Sequence, residues 1–315
     1  MTGRLLKIVA GLMIGLCAST GASAGLPDFT AAAVPSILPQ VQALRKLAAP
    51  PALPRVRAAQ VEDEHLAMGN PSDAVTDVAD ETNYLMRKPE YDLSYNNATG
   101  TPNWVSWHLN ASWVGAVKRS NTFRPDPDLP AQWVQVAPKD YANTGFDKGH
   151  MCNSGDRTRD AESNSQTFLM TNMVPQSPKN NEHTWEALER YSRELAAKGD
   201  ELYIVSGPSG QGGEGKDGPL STIPVSRGGK AGVIVVPAVT WKVILVLPSG
   251  VTSPDGVTED ARTIAVIMPN TQDIDLDWTK YIVTVADVER LTNFHFFSEV
   301  DPGVAAQLKQ QKYQP

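Results

Sequence analysis

Cysteine is almost absent from this sequence. Only Cys17 and Cys152 occur in 315 residues, and Cys17 lies in an N-terminal apolar stretch with the marks of a removable leader. Cys152 is then alone, so an intramolecular disulfide is excluded and the core must hold the fold without staples. Long hydrophobic runs are missing too. The stretch Ile8 to Cys17 is too short to span a bilayer, and no later one is long enough. An excess of positive charge is also lacking: the net charge is −7, which argues against a broad electrostatic hold on a polyanion. No internal repeat is visible. Histidine is scarce, at five residues, so the surroundings of each can be weighed singly.

What remains is ordinary globular material, 41% hydrophobic and 20% charged, enough for one large domain or two small ones. Arg4 and Lys7, the apolar stretch after them and the small-x-small triplet Ala22-Ser23-Ala24 read as a secretory signal peptide over residues 1–24. Leu16 stands where a lipid-attachment signal needs a small residue. The mature chain is expected to begin near Gly25 with a net charge of −9, soluble and exported, periplasmic or secreted. Residues 25–80, with Pro50-Pro51-Ala52-Leu53-Pro54, read as an Ala/Pro-rich linker or irregular wrap, and residues 81–315 as the folded domain.

Within that domain, Trp104–Leu109 and Trp133–Val136 alternate as strands do, with prolines 125, 127 and 130 marking the loop between them. Leu202–Val205, Val233–Val236, Trp241–Leu247 and Ile264–Met268 read as mostly buried strands. Thr184 is placed to cap a helix from Trp185 to about Lys198, with an apolar stripe of Trp185, Leu188, Tyr191 and Leu195 and a stop at Gly199. Gly207–Gly229 reads as a Gly-rich loop, and Val285–Leu291 starts a late helix. This order predicts an α+β domain whose sheet is largely antiparallel.

The twelve residues Asp147 to Thr158 hold a histidine, two acids, two bases and two glycines. A buried core would not accept so many charges, and a surface loop needs no histidine. An imidazole titrating near 6.5 can take a proton from water at neutral pH, which makes His150 a candidate general base. A lone histidine is more often structural, and that reading is kept for His65, His108, His183 and His295; the charges and the segment after His150 reverse it there. Gly149 is expected to let the backbone turn sharply, and Asp147 to orient the ring or a neighbouring group.

Downstream, Asn181, Trp185, Glu189 and Arg193 step along one side if a helix begins near Asn181. Alone, Glu189 and Arg193 are an ordinary surface ion pair worth roughly 0.2–0.5 kcal/mol. Beside a base they have a second reading. Asn181 offers an amide oxygen to a hard cation such as Mg²⁺, which keeps most of its waters. Glu189 holds those waters, and Arg193 meets the charge of a phosphorane. Lys118, Arg119, Arg124, Lys148, Arg157 and Arg159 cluster in sequence here, so a local basic groove is compatible with the negative total.

Other chemistries fail on spacing. Cys152 and His150 have no second Cys/His pair to complete a zinc site. No Gly-x-Ser-x-Gly elbow is present, and Gly207–Gly213 lacks the Lys-Ser/Thr of a phosphate loop. A reactive Cys152 beside His150 stays open as a rival hydrolase, against the plainer reading of a small buried filler.

These residues resemble the signature of the DNA/RNA non-specific endonucleases, the ββα-metal nucleases that include mitochondrial endonuclease G. The family's Asp-Arg-Gly-His, with a tail ending in Ala-Asp-Arg, stands here as Asp147-Lys148-Gly149-His150 through Asp156-Arg157. The likeness continues through Thr167–Gln176, Asn180-Asn181, Trp185, Leu188-Glu189 and Glu201–Pro208, and upstream through Asn103–Trp107 and Phe123–Asp126. It covers roughly 100–300, and several such motifs in order are highly specific. The resemblance implies the ββα-metal (His-Me finger) fold, a central, largely antiparallel sheet flanked by helices. It implies His150 as general base, Asn181 as the sole direct protein ligand of Mg²⁺ (with Mn²⁺ as a substitute), and Glu189 as holder of the metal's waters. Arg193 and Arg119 would stabilise the transition state, with Arg124 second choice for the upstream arginine. Asp147, Lys148 and Asn172 would line or support the substrate site.

Lys148 departs from the family arginine, keeping the charge but losing the bidentate fork. Asn153 and Gly155 depart from Pro and Ala, which changes the stiffness of the loop. The implied activity is hydrolysis of DNA and RNA to 5′-phosphate products with little sequence preference, since phosphate contacts carry no base information. The alternatives are a non-catalytic nucleic-acid-binding relative and the Cys152/His150 hydrolase. DNA and RNA are the expected partners, with no membrane after signal cleavage; an inhibitor protein and a homodimer are left open.

Overall fold

The computed structural model describes residues 63–315. The expected signal peptide and most of the expected linker lie outside the described residues. In chain order the strands are β1 (Tyr84–Arg87), β2 (Asp92–Asn96), β3 (Thr101–Leu109), β4 (Asp147–His150), β5 (Met173–Gln176), β6 (Glu201–Ser209), β7 (Gly213–Gly215), β8 (Gly218–Leu220), β9 (Thr222–Arg227), β10 (Lys230–Val235), β11 (Val239–Leu247), β12 (Arg262–Pro269) and β13 (Ile282–Val283). The α-helices are α1 (Ala161–Gln166), α2 (Glu186–Ala197), α3 (Val285–Thr292) and α4 (Pro302–Leu308).

One seven-stranded sheet, ordered β1-β2-β3-β6-β11-β12-β13, runs through the middle. Every neighbouring pair in it is antiparallel. Its central strands are buried on both faces, and the two-residue period sorts their side chains into two cores. On β11, Ile244 and Val246 join Trp107, Trp185 and Leu188 on one face. Trp241, Val243, Leu245 and Leu247 look to the other, against α3, α4 and the Phe296-Phe297 corner. Trp107, Ile204, Ile244 and Ile264 lie abreast in register across four strands. This row forms the floor beneath α2.

The functional residues come from the excursion between β3 and β6. It carries the β4–β5 ribbon, α1 and α2. The strands expected at Trp104, Leu202, Trp241 and Ile264 form as β3, β6, β11 and β12.

Four local expectations are corrected. Trp133–Val136 is no strand: Trp133 is buried against Tyr84 and Tyr95, so its alternation is satisfied by ring packing instead of pairing. The Gly207–Gly229 loop is folded into the end of β6 and the strands β7, β8 and β9, and Gly228-Gly229, at φ +59° and +78°, closes a two-residue hairpin turn between Arg227 and Lys230. Thr184 does not cap α2. Its hydroxyl donates to the Asp275 carbonyl at 2.8 Å, and a π-turn over Asn180–Trp185 precedes the helix instead. Gly149 lies within extended β4 and makes no turn.

The described residues before 81 pack on the sheet, with Met68 and Ala74 buried in the core on the α3 side. The Ser106 hydroxyl holds the His65 carbonyl at 2.6 Å. These apolar anchors hold residues 63–80 against the sheet without regular helix or extended strand.

Candidate active site

His150 ends β4, opposite Met173 on β5. The ribbon places its ring edge-on to Phe168, 4.9 Å between centroids, with Phe123 at 5.5 Å. The ring is buried, and its Nε2 has no hydrogen-bond partner in the protein. Burial, then the positive charges of Arg119 and Lys148, hold its pKa well below the usual imidazole value. The ring is therefore neutral at pH 7 and able to accept a proton.

Two cations flank that base. The Arg119 guanidinium lies over the Phe168 ring at 4.9 Å and donates to the Ser154 hydroxyl at 2.8 Å. The Lys148 ammonium lies over Phe123 at 4.9 Å. These contacts aim both charges across the same pair of rings that encloses His150.

Asn181 reaches the ribbon through Asp147, donating from Nδ2 to Oδ2 at 2.9 Å. This bond fixes the amide and leaves Oδ1 as the atom suited to a hard cation. Among the described residues, no three or more His, Cys, Asp and Glu side chains form a group that could hold a metal. One oriented amide oxygen, with a carboxylate to hold water, suits an ion that keeps most of its hydration shell.

Glu189, the carboxylate expected in that role, lies one turn into α2 and is buried over the sheet. Burial pushes its pKa up to about 7, against the pull of Lys242, whose ammonium is 3.7 Å away; the Asp156 charge adds to the rise. Arg193, one helical turn on, donates to Asn153 Oδ1 at 3.1 Å and Asp156 Oδ1 at 3.2 Å. Asp156 also accepts from the Trp107 indole at 3.0 Å, which ties this group to the sheet.

Such a constellation combines a neutral buried base, flanking guanidinium and ammonium groups, and one oriented amide oxygen. The chain around it is similar to known proteins. The profile of the DNA/RNA non-specific endonuclease family matches residues 69–303. The chain belongs to that family.

A nuclease from Nostoc sp. is 46% identical over 245 residues, 78% of this chain and 84% of its own length. Human mitochondrial nuclease EXOG is 31% identical over 66% of this chain, which spans only 55% of that longer protein. A crystal structure of an EndoG/EndoGI complex, described as showing the mechanism of EndoG inhibition, superposes with a TM-score of 0.60 at 25% identity. That match covers 76% of this chain and 91% of the other. The protein is thus an endonuclease with the α+β, ββα-metal nuclease fold.

Within this endonuclease, His150, Lys148 and Arg119 gather on the Phe123–Phe168 pair, while Glu189 and Arg193 gather on Asp156 and Lys242. Asn172 and Arg124 make contacts within the protein. Asn172 is fully buried; it accepts from the Cys152 N–H at 2.9 Å and donates to the Cys152 and Thr167 carbonyls, both at 2.8 Å. It supports the loop behind His150. Arg124 donates to the Ser165 carbonyl at 2.8 Å, and its backbone pairs with Leu169, so it braces the Phe168 segment. Of the two upstream arginines, Arg119 is the one whose charge acts on His150.

The structure gives the Cys152 rival no support: the thiol is fully buried, and burial pushes its pKa up, away from the thiolate a nucleophile needs. Sequence reasoning missed Asp156 as the partner of Arg193, the Phe123–Phe168 pair and Lys242. For Lys242 a signal existed: it is the only charge in the nine residues of β11.

Proposed function

We propose that this endonuclease is exported and cuts DNA and RNA by divalent-metal-dependent hydrolysis, with Mg²⁺ the ion and Mn²⁺ a substitute, leaving 5′ phosphates. The observation that carries the reading is the neutral His150 ring packed on Phe123 and Phe168, the two rings over which Lys148 and Arg119 lie. A base kept unprotonated by burial and then by neighbouring cations suits the activation of water beside a phosphodiester.

In this reading the His150 ring takes a proton from water as the new O–P bond forms in line with the leaving 3′ oxygen. The P–O3′ bond breaks, and the leaving oxygen takes its proton from solvent. Arg119 and Arg193 offset charge on the non-bridging oxygens. Lys148 contributes charge without the paired hydrogen bonds of an arginine. Asn181, oriented by Asp147, would hold the cation, and Glu189 would order its waters. When bound, that cation supplies Lewis acidity to the phosphate and the leaving group. Phosphate-directed contacts support indifference to base sequence. A protein inhibitor belongs to the same proposal, by analogy with the EndoG/EndoGI complex.

The test is digestion of plasmid and of RNA by the mature protein. His150→Ala should lower the rate by roughly 10²–10⁴-fold. EDTA should abolish cutting, and Mg²⁺ should restore it. Undiminished cutting by the variant overturns the base, and cutting that survives EDTA overturns the metal. N-terminal sequencing of the exported protein should give Gly25.

A further inference from the structure

Lys242 has a side chain that is 1% exposed, in a strand otherwise made of apolar residues and threonine. Its ammonium lies 4.1 Å from the Trp185 ring centroid and 5.7 Å from that of Trp107. The Glu189 carboxylate is 3.7 Å away. Asp156, held by Trp107 and the half-buried Arg193, completes a group of two acids and two bases. Glu186 also faces Arg193, at 3.8 Å. The register explains the placement. Lys242 pairs with Ser206 on β6 and Val266 on β12, on the face that looks up at α2.

A structural role alone explains this poorly. Taking a lysine out of water is expensive, and an apolar side chain of similar length would serve packing at least as well. What the ammonium provides, and methionine would not, is a charge fixed beneath Glu189. The two indole faces leave it little freedom to move elsewhere.

We propose that Lys242 is a positioning residue of the active site, an ammonium clamped between Trp107 and Trp185 that holds the Glu189 carboxylate in place from below. This rests on the reading of Glu189 given above. Lys242 acts through Glu189 and touches neither substrate nor cation.

The test compares Lys242→Met, Glu189→Gln and the double variant, each checked for folding by circular dichroism. Lys242→Met should lower kcat by about 10–100-fold, the range for groups that support a metal site from behind, with KM changed less than about threefold. In the Glu189→Gln background the same change should cost less than about threefold, because the group it acts on is gone. Difference infrared spectra of the metal-free protein give a second readout. The Glu189 band should shift from carboxylate to carboxylic acid in Lys242→Met at the same pH. If Lys242→Met does not fold, Lys242→Gln takes its place.

Wild-type kcat in the lysine variant overturns the inference. So does an equal loss in both backgrounds, which marks a structural residue. A Glu189→Gln enzyme with full activity overturns the reading of Glu189 itself, and the inference with it.

Discussion

Arg193 owes its position to a residue without a side chain. A Cβ on Gly155 would come within 2.9 Å of both the Arg193 guanidinium and Asn153 Oδ1. The two departures from the family signature, Asn153 and Gly155, therefore act together: one accepts from Arg193 and the other leaves room for it. Because the obstructed atom is the end of a flexible side chain, Gly155→Ala should change stability by less than about 1 kcal/mol. It should lower kcat on the order of tenfold by displacing the guanidinium, measured under saturating substrate. Asp147 is the matching case for Asn181. Asp147→Ala frees the amide and should raise the metal concentration for half-maximal rate by about 10–100-fold. An unchanged metal requirement would show that Asp147 does not orient Asn181.

At the scale of elements, the β4–β5 ribbon holds the base through close backbone approach. A Cβ on Gly149 would lie 2.2 Å from Gln176 Oε1 and 2.6 Å from Gln176 Cβ. Gln176 is wholly buried, so it cannot swing clear. Gly149→Ala should destabilise the fold by about 2 kcal/mol, or roughly 4–8 °C in Tm, and lower activity by tilting His150. A variant with both unchanged would show that the ribbon yields. The π-turn before α2 has a similar consequence: it breaks the simple four-residue step from Asn181 to Glu189. Asn181 therefore turns to Asp147 while Glu189 lies over Lys242.

Over the whole molecule, titrating groups join the N-terminal segment to the sheet. Burial, then the Asp63 carboxyl beside it, raises Asp92 from 3.8 to about 8. The unfolded chain releases this proton above 3.8 and the folded chain keeps it until about 8, so the contribution is full at low pH and lost as pH rises. Between pH 6.5 and 8 the loss is about 2 kcal/mol. Thermal melts of Asp92→Asn, which keeps a donor for Asp63, should lack that alkaline decline; an identical decline in wild type and variant would remove Asp92 from the account. His65 works in the opposite sense. Burial, then the Arg157 charge, lowers it to about 4. The unfolded chain then takes up a proton first, and stability falls as pH drops from 6.5 toward 4. Below 6.5 the two slopes oppose each other.

The sequence by itself determined the central strands, the late helix, the α+β class and the order of site motifs. Apolar periodicity and the Asp147–Arg157 signature are local properties, readable without contacts. It did not determine that Trp133–Val136 would pack without pairing, or that residues 63–80 would join the core, because both depend on surfaces supplied by distant segments. Only the tertiary structure brought the charge of Arg119 to bear on His150, buried Asn172 and Cys152, and set Lys242 beneath Glu189. Lys242 and Glu189 are 53 positions apart in the chain. They meet because β11 and α2 stack across one face of the sheet, and burial there turns a lone lysine into a partner for a carboxylate.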